Sequence, residues 1–158
     1  MPVVCVIGDI FATPGIEYYA HGCNCAGAMG AGIAVPFKNR WPRMYSRYAL
    51  HCHDGKFTVG KIHRWTDGVS TIFNLGTQEH WKTPASTEDL YNVLLKLRSH
   101  LEANNINGLV MPLLGGGLGG LPPNKARQIV YSALGDMKQN VYLVDKYMPG
   151  KAIQYPPF

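Results

Sequence analysis

Hydrophobic and polar positions along this chain switch between a period of two and a period near 3.6, and the switches mark out its elements. Val3 to Ile7 is a β-branched apolar run closed by Gly8-Asp9, the pattern of a buried strand. Phe11 to Gly15 reads as a turn or a short helical piece, punctuated by Pro14-Gly15. Glu17 to His21 predicts a second strand. Gly32 to about Asn39 predicts a helix, with Pro36 in its first turn or bending it. Trp41-Pro42 interrupts, and Pro42 to His51 predicts another helix with Met44, Tyr45 and Tyr48 on its apolar side. Val59 to Trp65 and Ser70 to Leu75 read as two strands around an Asp67-Gly68 hairpin turn. Ser86 is a good N-cap with Asp89 in the capping-box position, and Leu90, Val93, Leu94, Leu97 and Leu101 then share one helical face. Gly108 to Leu114 predicts a strand. Pro122-Pro123 opens a helix whose inner side is Ala126, Ile129, Val130, Ala133, Leu134 and Met137. Asn140 to Val144 predicts the last strand, and Lys146 to Phe158 a tail or an edge extension.

Strands that alternate with helices predict an α/β fold: a mixed central sheet with helices on both faces, in three α/β/α layers. The 158 residues predict one domain over 1–158, long enough for a proper core. The formal charge of +5 suits an anionic ligand, but the lysines and arginines are scattered. Without a run of like charge, nucleic acid is not expected as a general partner. No apolar run approaches membrane-spanning length. The opening residues lack the basic start and long apolar stretch of a secretory signal, so the expectation is a cytoplasmic protein. Cys5, Cys23, Cys25 and Cys52 are then expected as reduced thiols.

Two glycine-rich segments carry the chemistry. His21 to Ala34 holds Gly22, Gly27, Gly30 and Gly32 with no formal charge, between a strand and a helix start. Such a loop turns backbone N–H groups outward, and the helix dipole behind it favours negative charge. The second loop, Gly115 to Gly120, is glycine broken only by Leu118, again after a strand and before a helix. Glycine clusters are entropically costly, so two of them point to close backbone contact with something. Both follow strands, so both are expected at the carboxyl edge of the sheet, gripping one pyrophosphate from two sides. The spacing Gly27-x-x-Gly30-x-Gly32 is not the dinucleotide fingerprint, and no Gly-Lys-Ser or Gly-Lys-Thr occurs, so hydride transfer and P-loop chemistry lose support. Asp9 is either a turn cap or a carboxylate that accepts from an amino group such as that of adenine. His21, Cys23, Cys25 and the His51-Cys52-His53 run supply soft ligands, but Cys-x-Cys is not zinc spacing and no metal is expected. Cys23 or Cys25 as a nucleophile has no clear paired base.

Gly8-Asp9-Ile10, His21-x-Cys-Asn-Cys-x-Gly-x-Met-Gly-x-Gly-Ile-Ala34 and the Gly115–Gly120 loop together resemble a macrodomain. The resemblance runs from Val3 to about Val144 and is strongest to the branch of ADP-ribose 1″-phosphate phosphatases and terminal ADP-ribose glycohydrolases. It implies a three-layer α/β/α macrodomain with ADP-ribose or a derivative as ligand and no cofactor. Asp9 would hold the adenine with Ile10 beside it, and Phe11 near its pocket. Asn24 would face the distal ribose. Gly30, Ala31, Gly32 and Ile33 would wrap the pyrophosphate from one side, and Leu114, Gly115, Gly116, Gly117, Leu118 and Gly119 from the other.

The resemblance also bears on catalysis. Glycohydrolase members have a lysine after the strand matching Ile72 to Leu75, where this chain has Gln78, and an aspartate near Gly119. A lysine intermediate is therefore not expected; Lys82 would serve only if its loop carried it inward. Gln78 can still orient a water or bind a ribose hydroxyl through its amide, and the attacking water would be oriented by Asn24, His21 or Gln78. The His21-x-Cys-Asn-Cys run favours the phosphatase branch, with His21 as general acid or base at the rim, or else as a hydrogen-bonded core histidine. His80 is a second candidate or an exposed loop histidine, and Trp81 a possible wall of the distal pocket. The expected function is hydrolysis at the distal ribose, with ADP-ribose 1″-phosphate as the leading substrate. The alternatives are removal of ADP-ribose from protein or nucleic acid, with nucleic acid only as a modified substrate, and a module that binds such nucleotides without chemistry.

Overall fold

The computed structural model describes residues 3–113 and 121–158. Its sheet has six strands: β1 (Val3–Gly8), β2 (Tyr18–Asn24), β3 (Ile62–Thr66), β4 (Thr71–Gln78), β5 (Gly108–Pro112) and β6 (Asn140–Tyr147). Four α-helices accompany them: α1 (Ala34–Arg40), α2 (Pro42–His53), α3 (Thr87–Ala103) and α4 (Pro123–Leu134). Ile10–Ala12 forms a short 3₁₀ turn. The spatial order is β1-β6-β5-β2-β4-β3, parallel throughout except for β3, which pairs antiparallel with β4. The mixed sheet expected from the pattern is therefore observed.

Side-chain alternation divides the core into two. Ala20, Phe73, Leu109, Met111, Val141 and Leu143 face α3 and α4. Their neighbours Tyr19, Ile72, Val110 and Val144 face the other way, toward α1 and α2. Each layer covers one face of the sheet, as the α/β/α expectation requires. The leucine stripe of α3 is fully buried, and its Ser86 cap accepts from the Asp89 N–H at 3.0 Å. Among the described residues, no helix is long and apolar enough to cross a membrane.

Several boundaries differ from the pattern: β3 begins at Ile62 rather than Val59, β5 ends at Pro112 rather than Leu114, α4 ends at Leu134 rather than reaching Met137, and β6 runs to Tyr147 rather than Val144. Strand β2 runs to Asn24 rather than stopping at His21, and β4 runs to Gln78 rather than Leu75. Polar and glycine residues made both extensions hard to see, yet they pair with each other across the ladder: Cys23 lies opposite Gly76, and Asn24 opposite Gln78. Helix α1 begins at Ala34, so Gly32 and Ile33 belong to the preceding loop. The tail acts as an edge extension. After β6 it returns to bridge Ile7 with Gln154 in antiparallel sense, covering the edge strand β1.

This topology positions the site. The carboxyl ends of β2, β4 and β5 lie along one edge of the sheet. The helices that follow β2 and β5 lie on opposite faces, so a crevice opens between those neighbouring strand ends.

Candidate functional site

A cleft of about 390 Å³ occupies this edge. The end of β2 contributes Gly22, Cys23 and Asn24, and the loop that follows contributes Ala28, Met29, Gly30 and Ala31. Ala34 of α1 and Gln78 and Trp81 from the end of β4 complete it. No described lining group carries a charge at neutral pH, since burial pushes the Cys23 thiol well above its ordinary range.

The loop between β2 and α1 is built by Asn24. Its Oδ1 accepts from the N–H groups of Ala26 at 3.1 Å and Ala28 at 3.2 Å, and its Nδ2 donates to the Ala28 carbonyl at 2.8 Å. Asn24 lines the cleft as expected, but its amide is engaged in shaping the loop. Gly27 and Gly32 sit at φ +85° and +61°, backbone that side chains rarely adopt. Among the described residues, the N–H groups of Gly30, Ala31 and Gly32 find no acceptor. A Cβ added at Gly30 would meet no described atom within 4 Å. Segment 18–53 contains no Asp or Glu but holds Lys38, Arg40, Arg43 and Arg47. The ion pairs among the described residues involve Arg98 and Arg127 instead. The segment that carries this loop is therefore net positive, which suits an anion.

His21 is not on the rim. The three further residues of β2 carry the strand past it, so His21 is fully buried, its ring stacked on Phe37 at 4.0 Å. Its Nε2–H donates to Asn74 Oδ1 at 2.6 Å, and the Asn74 amide in turn donates to His63 Nδ1 at 3.0 Å. Desolvation holds the His21 pKa down at about 4, so it is a neutral core imidazole at physiological pH. The core alternative is the one the structure supports.

Gln78 lines the cleft, but its Nε2 donates to the carbonyls of His80 at 3.1 Å and Thr83 at 2.8 Å. The amide nitrogen thereby closes the loop after β4, leaving Oε1 for a ligand. That loop presents Trp81, 53% exposed, at the cleft. His80 stacks on Trp81 at 3.6 Å and accepts the Lys82 N–H on Nδ1 at 3.3 Å.

Asp9 caps the 3₁₀ turn by accepting the Phe11 N–H at 2.9 Å, and its other oxygen accepts the Gly150 N–H at 2.9 Å. It stands at the same sheet edge but outside the described cleft lining, and the Ile10 side chain is fully buried. Phe11 packs against Phe37 and Trp41, with the Arg40 guanidinium 5.0 Å from its ring centroid. Ile33 caps α1 without a side-chain bond. Leu114, Gly115, Gly116, Gly117, Leu118 and Gly119 lie outside the described residues. Among the described residues, no group of three or more His, Cys, Asp or Glu is placed to hold a metal.

Two contributors escaped the sequence reading. Tyr48 of α2 donates to the Asn24 carbonyl at 2.7 Å and to Asn24 Oδ1 at 3.0 Å, and Tyr45 donates to the Gly27 carbonyl at 2.9 Å. Both fell on the apolar side of their helix. The available signal was chemical: a buried tyrosine hydroxyl needs a partner, and two on one face imply a polar segment above them.

A model of the Macro domain family matches residues 20–130. A DNA ADP-ribosyl glycohydrolase of Mycobacterium tuberculosis is 34% identical over 145 residues, covering 89% of this chain and 38% of the relative. The chain thus spans well under half the length of that relative. An ADP-ribose 1″-phosphate phosphatase of Lodderomyces elongisporus is 27% identical, covering 92% of this chain and all of the relative. The solved macrodomain of Thermus aquaticus DarG superposes with a TM-score of 0.83 at 28% identity, covering 90% of this chain and 97% of that one.

Proposed function

The chain belongs to the Macro domain family, and from that premise we propose that its cleft takes ADP-ribose or a close derivative and hydrolyses it at the distal ribose. The observation that carries the reading is the loop at Gly30 to Gly32. It offers three N–H groups with no acceptor among the described residues, beside a cleft and within a carboxylate-free segment. A pyrophosphate needs that combination: several donors, close backbone approach and no competing negative charge. Asp9, at the same sheet edge, serves the adenine, and Gln78 Oε1 faces the distal ribose.

The chemistry is attack by a positioned water. The described lining offers no thiolate, lysine or neutral-pH acid or base, so the protein contributes placement rather than a nucleophile. Hydrolysis of a phosphate on the 1″ oxygen suits such a site, because phosphoryl transfer depends mainly on positioning and electrostatics. A second reading, removal of ADP-ribose from DNA, is favoured by the relatives named DNA ADP-ribosyl glycohydrolase. Nucleic acid enters there only as the modified substrate. The whole chain acts as one domain, and its four free cysteines suit the cytoplasm.

The test pairs calorimetry with turnover. ADP-ribose binds, and phosphate appears from ADP-ribose 1″-phosphate. Release of ADP-ribose from modified DNA, with no phosphate release, selects the second reading. Binding with no turnover of either substrate, or of ADP-ribosylated protein, makes the domain a non-catalytic reader. Absence of binding ends the proposal.

A further inference from the structure

The Gly30–Gly32 donors are useful only if the loop that carries them is held in shape before the ligand arrives. A glycine-rich segment resists such ordering, since glycine loses more conformational freedom on being fixed than any other residue. Between the end of β2 and Gly30, the described structure has no regular element to do the holding. A small polar hub does it instead. Asn24 binds the loop at both edges of its amide, to Ala26 and Ala28. Beneath it, the Tyr48 ring is fully buried and packs edge-on against Phe57, with centroids 5.7 Å apart. A ring so anchored has little freedom, and its single hydroxyl proton is shared among the carbonyl and Oδ1 of Asn24 and, more weakly at 3.5 Å, the Ala28 carbonyl. One residue-turn away, Tyr45 braces the Gly27 carbonyl, at the position where the loop takes its positive φ.

We infer that Tyr48 is a positioning residue for the anion-binding loop, acting on it through Asn24, whose amide also serves as a strut of that loop. The inference rests on the pyrophosphate reading of Gly30 to Gly32. Tyr48→Phe keeps the ring and its packing and deletes one proton. The Asn24 carbonyl then loses a partner, Oδ1 keeps its two main-chain donors, and the loop gains alternatives to its bound shape. Loss of one such bond weakens binding about five- to tenfold. Because Tyr48 and Asn24 belong to one network, their effects overlap rather than add.

The experiment measures ADP-ribose affinity by calorimetry in the wild type, Tyr48→Phe, Asn24→Ala and the double variant. Adenosine, followed by ligand-observed NMR, reports the part of the site that needs no phosphate donor. The expected result is a loss of about five- to tenfold for each single variant with ADP-ribose, a double variant little worse than the weaker single, and unchanged adenosine binding. Tyr45→Phe, which removes only the bond to Gly27, shows a loss of about threefold with the same selectivity and stands in should Tyr48→Phe not fold. Equal losses for adenosine and ADP-ribose, fully additive losses in the double variant, or an affinity within about twofold of wild type for Tyr48→Phe overturn the inference. Wild-type protein that binds no ADP-ribose refutes the functional reading instead, and the two failures are distinct.

Discussion

Lowering the pH from 7.5 to 5 should destabilise this protein through a histidine that never touches solvent. His21, Asn74 and His63 form a row across β2, β4 and β3, on the face covered by α1 and α2. The single Asn74 amide fixes both rings: its oxygen takes the proton of His21, and its nitrogen gives one to His63. Protonated His63 would set donor against donor, and flipping the amide would do the same to His21. Burial holds both rings at about 4, with His51 and Arg47 adding to the effect on His63. The sign follows from which state binds more protons. Between pH 6.5 and 4 the unfolded chain protonates these rings and the native state does not. Stability is therefore fully present above 6.5 and lost as pH falls toward 4. For His21, with a native value of about 4 against 6.5 unfolded, the loss is about 2 kcal/mol at pH 5 and about 3 kcal/mol below pH 4. His63 and His100, both lowered by desolvation, act in the same direction. Urea denaturation at pH 7.5, 6 and 5 measures the total. His21→Gln can still donate to Asn74 but cannot titrate, and it should cut the pH-dependent loss by about 2 kcal/mol. A variant that loses as much stability as the wild type between pH 7.5 and 5 would show that His21 is not held neutral by the fold.

Gly30→Ala should leave the melting temperature within about 2 °C while weakening ADP-ribose binding by roughly tenfold, because its Cβ meets no described atom within 4 Å but stands where the pyrophosphate would approach. A coincident loss of stability would assign the glycine to folding instead. Gly76→Ala should behave in the opposite way: its Cβ would lie 2.6 Å from the Thr58 carbonyl oxygen and 3.2 Å from that of Lys61, forcing backbone to move at a cost of about 1–3 kcal/mol. A change under about 0.5 kcal/mol in urea titration would contradict that contact. Cys25 is pushed up to about 12 by burial, with Cys52 and Glu79 nearby, so its alkylation by iodoacetamide at pH 8 should be on the order of a hundredfold slower than that of free cysteine. Mass spectrometry of the labelled peptide checks this, and labelling as fast as free cysteine would place a thiolate there.

Elements specified by neighbouring residues were legible without a structure. The leucine stripe of α3 with its Ser86 cap, the Asp67-Gly68 hairpin and the glycine loop before α1 each follow from side-chain period, capping or backbone freedom over a few positions. The ends of β2 and β4 were not, because Gly22, Asn24, Gly76 and Gln78 look like strand terminators until they are paired across the sheet.

The residue types of the site, and their order along the chain, belong to the sequence alone: the glycines, the Asn between two cysteines, the glutamine that ends β4 and the absence of acids from 18–53. What each group does was decided by tertiary structure. His21 went into the core because its partner Asn74 lies 53 residues away, Asn24 became a strut because Tyr48 arrives from 24 residues on, and the Gln78 nitrogen was claimed by a carbonyl at Thr83. A buried polar atom must find a partner wherever the fold supplies one, and that choice depends on packing in three dimensions, which no local pattern encodes.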